Sequence, residues 1–237
     1  MADTAAPKIT LYTNHACPWA HRAHIAIKEL GLPYEEVIID LNVPREQWYL
    51  DLNPRGLVPT MDYNGQILTE SAVVAQFLAD AHPSHLVPNT GTVEGALKRA
   101  RINFFVDTWF SKVGAIWYQI GLKPEEEREK IVEEFVKNVE KEIEPLLADA
   151  KPFFGGSETV GMAEALVAPF ILRTYSFAKH GIIPESLIEK LDALPNFKNW
   201  AAEVIKLDSV TYVWDEEKMI PFTKARFEKL RATAAAK

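Results

Sequence analysis

A chain of 237 residues with 48% apolar and 25% charged side chains can build one large domain or two small ones, and its composition is that of a globular protein. The net charge of -7 argues against a nucleic-acid surface, and no apolar run approaches bilayer-spanning length. The single cysteine excludes an internal disulfide framework and fits a reducing compartment. Residues 1–7 lack the basic and apolar regions of a signal peptide, and residues 234–237 match no peroxisomal or lipidation signal. The expected location is therefore the cytoplasm.

Residues 8–12 form a short apolar run that reads as a buried strand. The run leads into His15-Ala16-Cys17-Pro18-Trp19-Ala20-His21-Arg22, and residues 22–30 read as a helix stopped by Gly31. Pro18 suits the first helical position, where its missing N–H is not needed. Cys17 then stands at or beside the N-cap, where free N–H groups and the helix dipole favour a thiolate. With alanine at position 20, the layout is a Cys-x-x-Cys redox motif without its second cysteine. Such a thiolate can form a mixed disulfide, but the resolving thiol must come from outside, and glutathione is the obvious cytosolic source. The competing reading of a lone cysteine is an inert, buried side chain.

A second strand is expected over residues 34–40, parallel to the first because a helix connects them. A short helix over 45–50 leads to the turn Asn53-Pro54-Arg55-Gly56. Two further strand-like runs, 58–63 and 66–69, flank Asn64-Gly65, a strong hairpin signal. Glu70-Ser71 opens a helix with Val73, Val74, Phe77 and Leu78 on one face. The order is βαβ, then ββα, over residues 1–81. Residues 82–95 carry His82-Pro83, Pro88-Asn89 and Gly91 and read as a linker. From 96 to 237 no convincing strand occurs. Helical patterns cover 98–121, 124–150, 162–180, 184–191, 195–206 and 215–230, with Pro169 a kink and Pro221 a weak point.

Three of these stretches together resemble the omega class of the cytosolic glutathione transferases. They are Cys17-Pro18-Trp19-Ala20, the loop Asn53-Pro54-Arg55-Gly56-Leu57-Val58-Pro59, and Glu70-Ser71. The segments Phe110-Ser111-Lys112-Val113 and Phe153-Phe154-Gly155-Gly156 are also similar to that class. The resemblance covers nearly the whole chain. It implies an α/β thioredoxin-like N-terminal domain with an all-α C-terminal domain, a homodimer, and glutathione as co-substrate without a metal. The implied activity is that of a thioltransferase or dehydroascorbate reductase, with Cys17 catalytic. Trp19, Val58, Pro59, Glu70, Ser71 and Arg45 would bind glutathione, and Trp109, Arg173 and Trp200 would line the acceptor pocket.

Each implied role has a physical basis. A cis Val58-Pro59 bond would turn the Val58 backbone toward glutathione, which pairs like an added strand. Glu70 and Ser71 sit at a helix N-terminus, which suits a carboxylate, though plain helix capping would need the same residues. The sequence departs from the family in two places. The lysine that reaches the glycyl carboxylate is replaced by Pro44, with Arg45 next to it. The Ser/Thr…Asp cap of the helix near Met162 becomes Gly161 and Glu164, a weaker version.

Other readings are less supported. His15, Cys17, His21 and His24 cluster in sequence, but no second cysteine or acidic ligand stands at metal spacing. A Cys-His hydrolase lacks an orienting acid. A non-catalytic binding or scaffold module is the main rival, since a fold does not certify an activity. Cys-Pro-Trp-Ala also resembles the glutathionyl-hydroquinone reductases, whose chains carry insertions absent here.

Overall fold

The computed structural model describes residues 6–235; the terminal stretches read above for targeting signals lie partly outside them, at 1–5 and 236–237. Strand β1 (Ile9–Thr13) alternates buried and half-buried side chains, and helix α1 (Pro18–Glu29) follows it. Strand β2 (Glu35–Ile38) returns parallel to β1, with Leu11 opposite Glu36. Short helix α2 (Gln47–Leu52) precedes the hairpin of β3 (Thr60–Tyr63) and β4 (Gln66–Thr69). The sheet order is β2-β1-β3-β4, with β3 antiparallel to both neighbours. Both turn residues of the hairpin, Asn64 (φ 53°) and Gly65 (φ 86°), have positive φ, as a tight hairpin turn requires. Helix α3 (Ser71–Ala81) closes this half.

From Val93 onward the described residues form helices. Helix α4 (Val93–Thr108) is capped by Thr92, whose hydroxyl accepts the Gly95 N–H at 3.1 Å. A π turn over Trp109–Gly114 joins it to α5 (Ala115–Leu122). The expected 124–150 helix is α6 (Glu125–Asn138), continued by a π turn to Ile143 and a 3-10 turn to Leu147, where Pro145 removes a helical N–H. Helix α7 (Met162–Lys179) runs through the centre and is buried along almost its whole length despite Pro169. Helices α8 (Ser186–Leu191), α9 (Pro195–Val204), α10 (Asp208–Thr211) and α11 (Glu216–Ala235) complete the fold.

One apolar core joins the two halves: Ile25 of α1, Leu78 of α3 and Phe170 of α7 belong to the same buried cluster. Glu164 fixes the start of α7. Its carboxylate is fully buried and accepts from the Gly161 N–H (2.9 Å), the Phe154 N–H (2.8 Å) and the Trp200 indole (2.9 Å). Gly161 has no side chain to complete the cap, and Glu164 makes up for this by joining three segments. Burial pushes its carboxyl up, and the three donors pull it back. No helix among the described residues is long and apolar enough to cross a membrane.

Candidate active site

Cys17 is the N-cap of α1, with extended backbone (φ -84°, ψ 115°) and Pro18 in the first turn. Its side chain makes no capping hydrogen bond, so the sulfur is free to face the cleft while the first-turn N–H groups lie behind it. Its Sγ lies 3.9 Å from the Val58 carbonyl oxygen. The Val58-Pro59 bond is cis, as the loop pattern implies, and Lys151-Pro152 is a second cis bond. Glu70 has φ 70°, a conformation non-glycine residues seldom adopt and one that often marks functional sites. Its carboxylate pairs with Arg55 at the rim.

A cleft of about 410 Å³ gathers Cys17, Trp19, Arg45, Val58, Pro59, Glu70 and Ser71 along its walls. A second cavity of about 350 Å³ shares Cys17 and Trp19 and is lined by Trp117, Tyr118, Arg173, Phe222 and Phe227. Cys17 therefore sits where a cleft of mixed polar and apolar lining meets an aromatic pocket. Arg226 of α11 lines both.

Of the three expected pocket residues, only Arg173 lines the second cavity. Trp109 and Trp200 are fully buried in the core. The Trp109 ring lies parallel to Phe197, with centroids 6.4 Å apart, and Trp200 is held by its bond to Glu164. The pocket aromatics are instead Trp117 and Tyr118 of α5, Phe177 of α7 and two phenylalanines of α11, with Trp19 at the junction. Helix periodicity places an aromatic on a buried face, but cannot say whether that face meets core or cleft. A second expectation also changes. The sequence shows no acidic ligand near the three histidines, but the parallel β1–β2 pairing brings Glu36 to 2.7 Å from His15 Nε2.

Two buried guanidinium groups flank the sulfur. Arg22 lies near enough to Cys17 for the two charges to interact. It lies between the rings of Trp19 and Phe110, donates from Nε to the Leu166 carbonyl (2.8 Å) and from Nη1 to the Ser71 hydroxyl (3.1 Å). Arg173 donates to the His15 carbonyl (2.8 Å), the Pro169 carbonyl (3.0 Å) and His21 Nδ1 (3.0 Å). Neither has a carboxylate partner among the described residues. Burial lowers Arg22 to about 9 and Arg173 to about 10, and negative charge on Cys17 offsets part of that cost in both. Burial, then the Cys17 charge, pushes the Tyr118 hydroxyl up to about 12, so it stays a hydrogen-bond donor at neutral pH. Arg45 is committed differently: Nε donates to the Gly56 carbonyl (2.9 Å) and Nη1 to those of Asp40 and Val43 (2.7 Å each).

Residues 16–81 match the family model described as "Glutathione S-transferase, N-terminal domain". Glutathione S-transferase omega-1 of Rattus norvegicus is 28% identical over 198 residues, covering 82% of this chain and 76% of its own. Among solved structures, glutathione transferase Omega 1C from Trametes versicolor superposes with TM-score 0.78 at 28% identity, covering 94% of this chain and 98% of that one. Residues 16–81 thus carry a glutathione S-transferase N-terminal domain, and the chain as a whole is similar to omega-class glutathione transferases. Rice GST1, solved in complex with glutathione, is similar to this chain too, with TM-score 0.79, 26% identity, and coverage of 95% and 99%. The similarity extends over both halves of the chain.

Proposed function

We propose that this chain is a glutathione transferase of the omega-like kind that works as a glutathione-dependent thioltransferase, with Cys17 as nucleophile. The observation that carries the reading is the place of the Cys17 sulfur: at a helix N-terminus, beside the Val58 carbonyl, where both cavities meet. Glutathione occupies the 410 Å³ cleft. Its cysteinyl backbone pairs with Val58, its γ-glutamyl carboxylate meets Ser71 and the α3 N-terminus, and its ammonium meets Glu70. Arg22 donates to the Ser71 oxygen, which leaves the hydroxyl hydrogen free for that carboxylate. Arg45 presents its charge toward the glycyl end while bracing the loop carbonyls.

The reaction runs in two exchanges. Cys17 thiolate attacks the glutathione sulfur of a glutathionylated substrate, forming the Cys17–glutathione disulfide, and the substrate thiolate leaves and takes a proton. A second glutathione thiolate then attacks the glutathione sulfur of that disulfide, which releases oxidised glutathione and Cys17 thiolate. Dehydroascorbate takes two electrons and two protons from two glutathione thiols, one held on Cys17 as a mixed disulfide and the second resolving it, and oxidised glutathione leaves. Conjugation to a chlorinated nitroaromatic is weak, because Cys17 binds glutathione covalently and does not activate its thiol.

Residues 1–81 then serve glutathione, 96–237 the acceptor, and 82–95 connect them. The free thiol fits a reducing cytoplasm. A homodimer is supported by an exposed apolar stripe on α4, Val93, Leu97 and Phe104, with Val73 of α3 also exposed. The test is intact-mass measurement after oxidised glutathione is added. Wild type gains one glutathionyl group and Cys17→Ser gains none, while thioltransfer is lost in Cys17→Ala. Retention of most activity in Cys17→Ala ends the reading.

A further inference from the structure

We infer that this chain carries a divalent-metal site behind the active-site loop, formed by His15, His24 and Glu36, with zinc the ion its donors suit. Two imidazole nitrogens and one carboxylate oxygen lie within 4.8 Å of one another. Two histidines and one acid with a position left open is a common zinc donor set.

His24 is prepared for the role. Its ring is fully buried on α1, with Nδ1 at 3.2 Å from the Tyr34 hydroxyl and 3.3 Å from the Tyr212 hydroxyl. Tyr212 donates its hydrogen to the His24 carbonyl (3.1 Å), so its oxygen is left to accept from Nδ1–H. A proton on Nδ1 leaves the Nε2 lone pair pointing toward Glu36 Oε1, 3.4 Å away. Fixing of the remote ring nitrogen in this way is characteristic of metal-binding histidines. Thr13, whose hydroxyl is 2.9 Å from the same Nε2, can donate there until an ion takes the position.

Two of the three spacings lie near those of a bound ion, and the His15–His24 pair, within 4.8 Å, closes by rotation of the partly exposed His15 ring. Bonds of about 2.0–2.1 Å at a tetrahedral ion set ligand atoms about 3.3–3.5 Å apart. The His24–Glu36 distance already meets this. His15 Nε2 and Glu36 Oε1, now hydrogen-bonded at 2.7 Å, must open slightly. Both side chains are partly exposed, so the opening is cheap and gives the ion a route from solvent. The site would fasten β2 to the loop two residues ahead of Cys17.

The test uses full-length Cys17→Ser protein, which removes the one competing thiol, titrated with zinc against a chromophoric chelator. One zinc per chain is expected at micromolar affinity, with zinc raising the melting temperature by mass action. Glu36→Gln and His15→Asn change partly exposed side chains, and each should weaken binding about tenfold or more and remove the thermal shift. His24 is a poor first target because its burial couples it to folding. No zinc binding below about 100 μM in the Cys17→Ser protein would overturn the inference. Binding unchanged in both Glu36→Gln and His15→Asn would overturn it equally.

Discussion

Arg173 donates from Nη2 to the His15 carbonyl at 2.8 Å, so the central helix of the C-terminal half holds the loop that presents Cys17. The same guanidinium bonds Pro169 O on its own helix and His21 on α1. Arg173→Met leaves buried acceptors unpaired. The expected loss is about 2–4 kcal/mol in urea unfolding, with a changed rate of Cys17 alkylation by iodoacetamide under native conditions. If both stability and thiol reactivity match wild type, the brace has no energetic role.

Glu164→Gln keeps an oxygen for two of the three donors but turns an NH2 group toward a third. A loss of about 1–3 kcal/mol follows from that unpaired contact. The pH dependence has a definite sign. The native carboxyl is raised above its unfolded value, so the folded state takes up its proton first as pH falls. Wild type then gains stability relative to Glu164→Gln between neutrality and the ordinary carboxylate range. Urea midpoints for both proteins at neutral and mildly acidic pH check this; a gap that narrows toward acid contradicts it.

Gly121 lies on α5 where α11 crosses it. A Cβ there would fall 2.1 Å from the Phe227 ring, and the Gly121 carbonyl accepts from Arg231 Nη1 at 2.8 Å. Gly121→Ala must therefore push α11 outward, at a cost of about 1–3 kcal/mol. Because α11 supplies Phe222, Arg226 and Phe227 to the aromatic pocket, the variant should lose acceptor KM more than glutathione KM. Equal shifts in the two constants would disconnect α11 from acceptor binding.

Arg45→Met removes a charge from the cleft wall, where the proposed function seats the glycyl end of glutathione, together with three loop bonds. Glutathione KM should rise about tenfold with a smaller change in kcat, as for an interaction made equally in ground and transition states. A fall in kcat alone would place Arg45 elsewhere in the reaction.

The α4 stripe gives a separate prediction. A charge placed on Phe104 (Phe104→Glu) or Leu97 (Leu97→Glu) should convert a dimer to monomer in sedimentation experiments without unfolding it. A wild type that sediments as a monomer at micromolar concentration removes the proposed interface.

Much of the N-terminal half was legible because its signals are local. Pro18, Gly31, Asn64-Gly65 and Glu70-Ser71 each act within a few residues, and the βαβ order dictates the parallel pairing. The residues that meet at the first cleft were legible for the same reason. The second cavity was not. Trp109 and Trp200 carry the same side chain as Trp117, and only packing separates core from wall. Glu36 was missed because register across two strands brings it to His15, and Arg226 because a helix pattern does not say what its half-exposed face will cover. The π turn after α4 also has no clear mark in the sequence, yet its extra residue rotates the aromatics of α5 relative to those of α4.

The arginines around the cleft have a consequence for how an anionic ligand arrives. The protein carries a net charge of -7, whereas Arg22, Arg45, Arg173 and Arg226 surround or underlie the two cavities. On the proposed reading, glutathione, with two carboxylates and one ammonium, would be repelled at long range and attracted once inside. Screening over about 10 Å at 0.1 M salt removes the outer repulsion first. Stopped-flow capture should therefore become faster as ionic strength rises from very low values, while the seated ligand is held less tightly. An acidic protein with a basic interior thus trades encounter rate against retention, and the salt of its surroundings sets the balance.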